Sequence, residues 1–128
     1  MLMKMVTRKK LTEARAALER APRVHRFGVL QVQNLKETLL REGLGLQREC
    51  LIYEICNSEM TKRVLDQDMS VSALLPCRVS LYEQDGQAVF AAVRPTLQLE
   101  NLSVTYLEEI AQEVDLAVIE IVLDAALE

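Results

Sequence analysis

The segment CNSEMTKRVLDQDMSVSALLPC, residues 56–77, decides how the chain is organised. It predicts the end of one strand, a short helix and the start of a second strand, with a cysteine at each junction. Asn57 or Ser58 is suited to cap the helix, because short polar side chains accept hydrogen bonds from a helix's first N–H groups. We therefore expect Cys56 and Cys77 to face each other across one end of a small α+β domain.

A long strand is predicted directly before this segment. The run LQRECLIYEIC, residues 46–56, alternates so that Cys50 and Cys56 share one face. Six residues of extended strand span about 20 Å. A disulfide requires Cα atoms within about 7 Å. Cys50 and Cys56 therefore cannot pair within this strand, and we interpret Cys50 as structural.

A hairpin is predicted directly after the segment. Pro76 fits the first residues of a strand or an edge position, and clean alternation follows from Cys77. Asp85 and Gly86 form a strong hairpin turn signal. The run QAVFAAVR, residues 87–94, then returns as the paired antiparallel strand, and Pro95 ends it.

The rest of the chain alternates between strands and helices. The same signals predict the remaining elements, in order: a strand over 2–7, a helix over 13–21 capped by Thr12 and ended by Pro22, a strand over 27–33, a helix over 35–42 capped by Asn34 and closed by Gly43, a helix over 58–67, loops over 69–72 and 96–103, and a last helix with a capping box of Thr105 and Glu108. This order predicts one α+β domain over residues 1–128, with a mainly antiparallel sheet, helices packed on one face and a long C-terminal helix.

The last helix carries more apolar surface than one sheet requires. One stripe runs along it at alternating steps of four and three residues. Leu116, Ile119 and Leu123 extend the apolar surface onto a second side. Because leaving them exposed would forfeit about 1.5–3 kcal/mol per side chain, we expect a second partner for this helix and hence a homodimer. The alternative is that the early loops of the same chain cover part of this surface.

The composition excludes several classes of protein. The net charge of −4 and the scarcity of aromatic residues, 4% of the chain, argue against nucleic-acid binding. No apolar run has the length of a signal-peptide core or of a membrane span. We therefore expect a cytoplasmic protein whose three cysteines are reduced and which binds neither nucleic acid nor membrane.

Cys56, Asn57 and Cys77 are the candidate site residues. Cys56 directly precedes a predicted helix N-terminus, which favours a thiolate. With Cys77 it could form a redox pair or hold a soft metal, although two cysteines and one histidine fall short of four tetrahedral ligands unless a dimer supplies more. The alternative is that both cysteines are small buried hydrophobes. Asn57 either orients a ligand or only caps the helix.

Two other residues invite a functional interpretation. His25 lies among Arg20, Arg23 and Arg26, where it could help to attract an anion or belong to a solvated basic turn. Glu54 lies within an apolar strand, where it could carry a proton if buried or be a rim residue. No phosphate-binding loop, dinucleotide fingerprint, zinc-protease motif or nucleophile elbow occurs in the sequence.

Several motifs together resemble a known family. They are CN at residues 56–57, LLPC at 74–77, VSLYEQDG at 79–86, a strand that ends in RP, and RFGVLQV at 26–32. Over roughly residues 10–125 the chain resembles the bacterial and archaeal domain of unknown function numbered 302. The resemblance implies a fold similar to the TATA-binding-protein-like sheet-and-helix motif, and a homodimer. Ser58 departs from the proline that the family usually has after CN.

Two classes of function follow from these observations. The first is a homodimeric binding module whose cleft near Cys56, Asn57 and Cys77 holds a small molecule or a metal. The second is a thiol-dependent redox protein or enzyme that uses Cys56 with Cys77. The sequence specifies no cofactor, no catalytic residue and no reaction.

Overall fold

A five-stranded sheet and four α-helices make up the part of the chain that the structure describes. The structure, a computed structural model, describes residues 2–96 and 107–128. The elements are β1 (Leu2–Thr7), α1 (Leu11–Val24), β2 (Gly28–Asn34), α2 (Leu35–Arg41), β3 (Cys50–Cys56), α3 (Ser58–Gln67), a 3-10 helix (Met69–Leu74), β4 (Cys77–Gln84), β5 (Gln87–Val93) and α4 (Glu108–Leu127). None of the helices within these residues is long and apolar enough to cross a membrane.

The sheet is antiparallel throughout, in the order β1-β5-β4-β3-β2. Asp85 and Gly86 join β4 to β5 with φ angles of 52° and 78°, as a two-residue hairpin turn of type I′ requires. The pairing of Leu81 with Phe90 sets the register of this hairpin. The predicted α+β class, antiparallel sheet and long C-terminal helix are confirmed.

The core lies between one face of the sheet and the helices α1 and α4. Alternate strand residues such as Tyr53, Val79 and Phe90 are fully buried on this face. They pack against Leu18 of α1 and Ile121 of α4. The period-two alternation of the strands therefore positions the sheet beneath the helices.

The second apolar side of α4 is covered in part within the same chain, and the expected homodimer stays a prediction. Small residues of α1 (Ala14, Ala17 and Ala21) share one buried cluster with Val122 and Ala125 of α4, because alanine lets two helices approach closely. Of the three residues singled out earlier, Ile119 and Leu123 are half-buried, whereas Leu116 keeps 58% of its surface exposed.

Several predicted element boundaries are wrong. Thr12 is not a cap, because α1 already begins at Leu11 after Lys10. Pro22 lies inside α1 rather than ending it. Proline lacks only its own N–H donor. Its carbonyl oxygen still accepts hydrogen bonds from the N–H groups of His25 (3.0 Å) and Phe27 (2.9 Å).

Two further segments differ in type or length from the prediction. Residues 69–72 belong to a 3-10 helix rather than a loop, with Asp68 accepting a hydrogen bond from the Ser70 N–H at 2.9 Å. Strand β3 begins at Cys50, not at residue 46. The predicted loop from residue 97 onward and the predicted cap Thr105 lie outside the described residues.

Candidate functional site

Cys56 and Cys77 lie side by side at one end of the sheet. Cys56 is the last residue of β3 and Cys77 the first of β4, and Ile55 pairs directly with Cys77. With strands about 4.8 Å apart and a rise of about 3.4 Å per residue, the two cysteine Cα atoms are about 6 Å apart. That Cα separation lies within the range that a disulfide can bridge, and Ile55 rather than Cys56 lies directly opposite Cys77. Both residues are free thiols.

Cys50 lies at the opposite end of β3. It pairs with Tyr82, five positions away from the pairing of Ile55 with Cys77. Burial raises the pKa of the Cys50 thiol. The inference that Cys50 stands apart from the other two cysteines is consistent with this register.

The two neighbouring cysteines line one small cavity. It measures about 30 Å³ and also contacts Asn57 and Thr61. The remainder of its lining is apolar: Ile55, Met60, Val64, Leu75, Pro76 and Val114. A cavity of this size holds about two water-sized groups, at about 10–15 Å³ each. It is therefore suited to a sulfur atom and its immediate substituents.

Cys77 is half-buried and is the member of the pair whose pKa the fold raises. Its side chain packs against the main core. Burial, and secondarily the neighbouring Cys56, raises the pKa of Cys77 to about 11. The Cys77 thiol therefore keeps its proton at neutral pH.

Cys56 is the member of the pair that neighbours the start of α3. Its Sγ lies 3.1 Å from the hydroxyl oxygen of Thr61, in the first turns of that helix. A hydroxyl at this distance can donate to a thiolate.

Asn57 caps α3, as the sequence predicts. Its side-chain oxygen accepts a hydrogen bond from the Met60 N–H at 3.0 Å, and Asn57 is almost fully buried. Ser58 then occupies the first helical position. Proline is also well accepted there, so the departure from the family pattern leaves the helix start unchanged.

The comparisons with known proteins agree with this fold. A family model described as "Domain of unknown function DUF302" matches residues 3–126. The chain belongs to this family. A solved structure, the crystal structure of an uncharacterized conserved DUF302 protein from Bacillus stearothermophilus, matches at 25% identity with a TM-score of 0.91 and covers 98% of this chain and 97% of that one. The curated proteins contain no match.

His25 joins two helices in this DUF302 domain. One ring nitrogen, Nε2, lies 2.9 Å from Asp124, and Nδ1 lies 3.3 Å from Glu120, both on α4. The basic cluster is thus not simply a solvated turn, because its histidine tethers the end of α1 to α4. The partners are about a hundred residues away in sequence, so local pattern could not identify them.

Glu54 lies on the interior strand β3, on the face of the sheet opposite the core. It is half-buried, accepts a hydrogen bond from the Gln33 amide at 3.1 Å and pairs in register with Arg78. The expected rim position is therefore wrong, because β3 has a strand on either side, and the polar neighbours also argue against a buried proton carrier.

A buried ion pair that local sequence patterns do not predict lies near the cavity. Asp115 of α4 is only 4% exposed, and its Oδ2 accepts hydrogen bonds from Arg94 Nε (3.0 Å) and Nη2 (2.7 Å). The available signal was an aspartate among the apolar residues of α4. Its neighbour Val114 and Pro95, which follows Arg94, both line the cavities of the site region.

The donors for a metal ion are few in this DUF302 domain. Within residues 2–96 and 107–128, no group of three or more His, Cys, Asp or Glu side chains is arranged to hold one. Cys56 and Cys77 supply two soft donors, whereas a structural zinc site takes four.

Proposed function

We propose that this DUF302 domain is a thiol–disulfide redox protein in which Cys56 is the attacking thiol and Cys77 the resolving thiol. The observation that carries the proposal is that these cysteines end adjacent strands and line one cavity. The cavity, about 30 Å³, is much smaller than the roughly 300–1,000 Å³ of drug-sized ligand pockets. This favours sulfur chemistry over an extended organic ligand.

The first step is attack on a disulfide substrate. The Cys56 thiolate bonds to one sulfur of the substrate, the substrate's S–S bond breaks, and the other half leaves as a thiolate. Thr61 Oγ1, 3.1 Å from the Cys56 sulfur, is placed to stabilise the thiolate before attack. The product is a mixed disulfide on Cys56.

The second step releases the remaining half of the substrate. Cys77 gives up its proton and attacks the Cys56 sulfur, so that a Cys56–Cys77 disulfide forms and a second thiolate leaves. In sum, two protein thiols supply two electrons and two protons, and one disulfide becomes two thiols. Since the charge of Cys56 contributes to the raised pKa of Cys77, forming the mixed disulfide removes that contribution and eases this step.

The expected cytoplasmic location fits a reaction in which the protein's thiols reduce the substrate's disulfide. Glutathione and related thiols hold the cytoplasm at a reducing potential. Such thiols would return the Cys56–Cys77 disulfide to the dithiol after each turnover.

Thiol labelling tests the proposal. We expect iodoacetamide at pH 7 to label Cys56 at least tenfold faster than Cys50 or Cys77 in the folded, reduced chain, as peptide mapping by mass spectrometry would measure. Cys50→Ser serves as the matched control and should keep the fast phase, whereas Cys56→Ser should lose it. Equal labelling of all three cysteines, or labelling of Cys56 only after unfolding, would refute the proposal.

We further infer that the homodimer expected from the sequence forms through the sheet rather than through α4. The face of the sheet opposite the core, here called the open face, carries Leu2, Val6 and Val93 on the paired strands β1 and β5, with Lys4 between Leu2 and Val6. Leu2, Val6 and Val93 are 54%, 50% and 39% exposed. Single exposed apolar residues are common, but a group of three on two neighbouring strands favours an interface.

The size of the open face is compatible with a second copy as its occupant. Five strands spaced about 4.8 Å apart, each about 20 Å long, give roughly 450–500 Å² per copy. Two copies would bury roughly 1,000 Å², the lower limit for a specific interface. Glu54 and Arg78 lie on the same face, so a two-fold arrangement can bring the acid of one copy to the base of the other.

Sedimentation with two charged variants tests this arrangement. At tens of micromolar we expect a dimer that Val6→Lys dissociates and Leu116→Lys leaves intact. A single species of 14.5 kDa at every concentration would contradict dimerisation. If only Leu116→Lys dissociated the dimer, the interface would lie on α4 instead of on the sheet.

A further inference from the structure

We infer that the disulfide substrate of this site is small, uncharged and apolar, with an alkyl group that enters a second cavity beyond Cys77. This inference rests on the proposed redox function and adds the class of substrate. It rests on three features of the second cavity: its lining residues, its volume, and the residues that it shares with the cavity at Cys56.

The second cavity adjoins the one at Cys56. Cys77 lines both cavities, and so do Val64, Leu75 and Val114. A substrate whose sulfur meets Cys56 in the first cavity can therefore extend its substituent past Cys77 into the second. The reacting sulfur and the attached group would occupy two parts of one crevice.

The residues that line the second cavity within the described part of the chain are all apolar. The residues around it are Val64, Val71, Leu74, Leu75, Cys77, Pro95, Leu107, Ile110, Ala111 and Val114. None of them is charged, and the cysteine among them retains its proton at neutral pH because its pKa is raised to about 11. A carboxylate or ammonium group placed here would lose its hydration without gaining a partner. The lining therefore selects against charged disulfides such as glutathione disulfide.

The volume limits the length of the substituent. The second cavity measures about 50 Å³, which is room for about four water-sized groups at about 10–15 Å³ each. An ethyl to butyl chain fits this space, whereas a peptide does not. Apolar cavities of this kind remain dry and accept small apolar guests, so each half of the preferred substrate is a short alkyl thiol.

The reaction stays balanced with such a substrate. A dialkyl disulfide is itself the oxidant: it accepts two electrons from Cys56 and Cys77, its S–S bond breaks, and two alkyl thiols leave with the two protein protons. The alkyl group held in the second cavity belongs to the half that stays on Cys56 until Cys77 displaces it.

The test compares three disulfides on the reduced full-length chain. Diethyl disulfide is the apolar probe, glutathione disulfide the anionic one and cystamine the cationic one. Mass spectrometry follows the single-turnover rate of oxidation, and each rate is divided by the rate of the same reagent with the urea-unfolded chain. We expect the normalised rate for diethyl disulfide to exceed the other two at least tenfold.

Variants locate the preference in the second cavity. Ala111→Leu fills the cavity and should bring the three normalised rates to within about threefold of one another, while Leu116→Ala, on the exposed side of α4, should keep the preference. Should Ala111→Leu fail to fold, Leu74→Ala, which enlarges the cavity, should raise the rate with dibutyl disulfide relative to diethyl disulfide.

The outcomes separate the two proposals. Equal normalised rates, or a preference that neither cavity variant alters, would overturn the apolar-substrate inference while fast iodoacetamide labelling of Cys56 still supports redox function. Slow labelling of Cys56 with iodoacetamide, and no oxidation by any of the three disulfides, would overturn both.

Discussion

Replacing Cys77 with alanine should remove a pH-dependent part of the folding free energy. The fold raises the pKa of this thiol from its ordinary value of 9.0 to about 11. A raised pKa means that the folded state holds the proton more tightly than the unfolded state. The associated stability is therefore fully present below pH 9 and is lost as the pH rises from about 9 to 11. At about 1.36 kcal/mol per pKa unit, the loss amounts to about 2–3 kcal/mol.

Urea unfolding of the reduced chain and of Cys77→Ala at pH 8, 9, 10 and 11 measures this loss. Alanine should lower the free energy of unfolding by about 1–3 kcal/mol at pH 8, because it removes buried sulfur. This difference between the two proteins should shrink by about 2–3 kcal/mol at pH 11.

The comparison isolates Cys77 from other groups that titrate in the same range. Burial also raises the pKa of Tyr53 and of Cys50, so both proteins become less stable at high pH. Those losses are common to both and cancel in the difference. A difference that stays constant from pH 8 to pH 11 would refute the assignment of Cys77 as a buried thiol that retains its proton.

Two further substitutions test the surroundings of the site. Asn57→Ala removes the cap on α3 and should lower the free energy of unfolding by about 1 kcal/mol, with Asn57→Ser losing clearly less; equal losses in thermal or urea unfolding would contradict a capping role. Arg94→Ala leaves the buried Asp115 carboxylate without its guanidinium partner and should cost about 2–4 kcal/mol. Its matched control, Arg63→Ala, breaks the exposed pair with Glu113 and should cost about 1 kcal/mol or less. Similar losses for the two arginine variants would mean that the Asp115 pair behaves as an ordinary surface pair.

The elements that the sequence predicts well depend on local chemistry. The turn at Asp85 and Gly86 requires positive φ at both residues, and the side chains of Asn34 and Asn57 meet the first N–H groups of their own helices. Gly43 similarly has a φ of 77° just beyond the end of α2. Each of these signals acts over a few residues, so it can be read without knowledge of the rest of the fold.

The features that escaped prediction depend on contacts between distant segments. Alanines spaced along α1 indicate a helix face but not that α4 packs on it. The pairing of Arg94 with Asp115 likewise joins the end of β5 to the middle of α4. A local pattern carries no information about such partners, so it could not show that α4 packs against α1.

The candidate site likewise combines features that local sequence predicts with features that depend on distant contacts. Strand order was sufficient to predict that Cys56 and Cys77 lie at neighbouring strand ends, whereas alternation places Ile55 rather than Cys56 directly opposite Cys77. The retained proton of Cys77 and the apolar cavity beyond it were not predictable, because both depend on how Val114 of α4 and Leu75 close over the strand ends.

The most direct measurement of the central claim is a map of the disulfides formed when the native chain is equilibrated in glutathione redox buffers of increasing potential. Mass spectrometry of peptides from the acid-quenched protein identifies which cysteines are joined. The redox account predicts a Cys56–Cys77 crosslink that forms in a single reversible transition while Cys50 stays a free thiol. Persistence of both thiols up to the most oxidising buffer, or crosslinks that involve Cys50 instead, would contradict it.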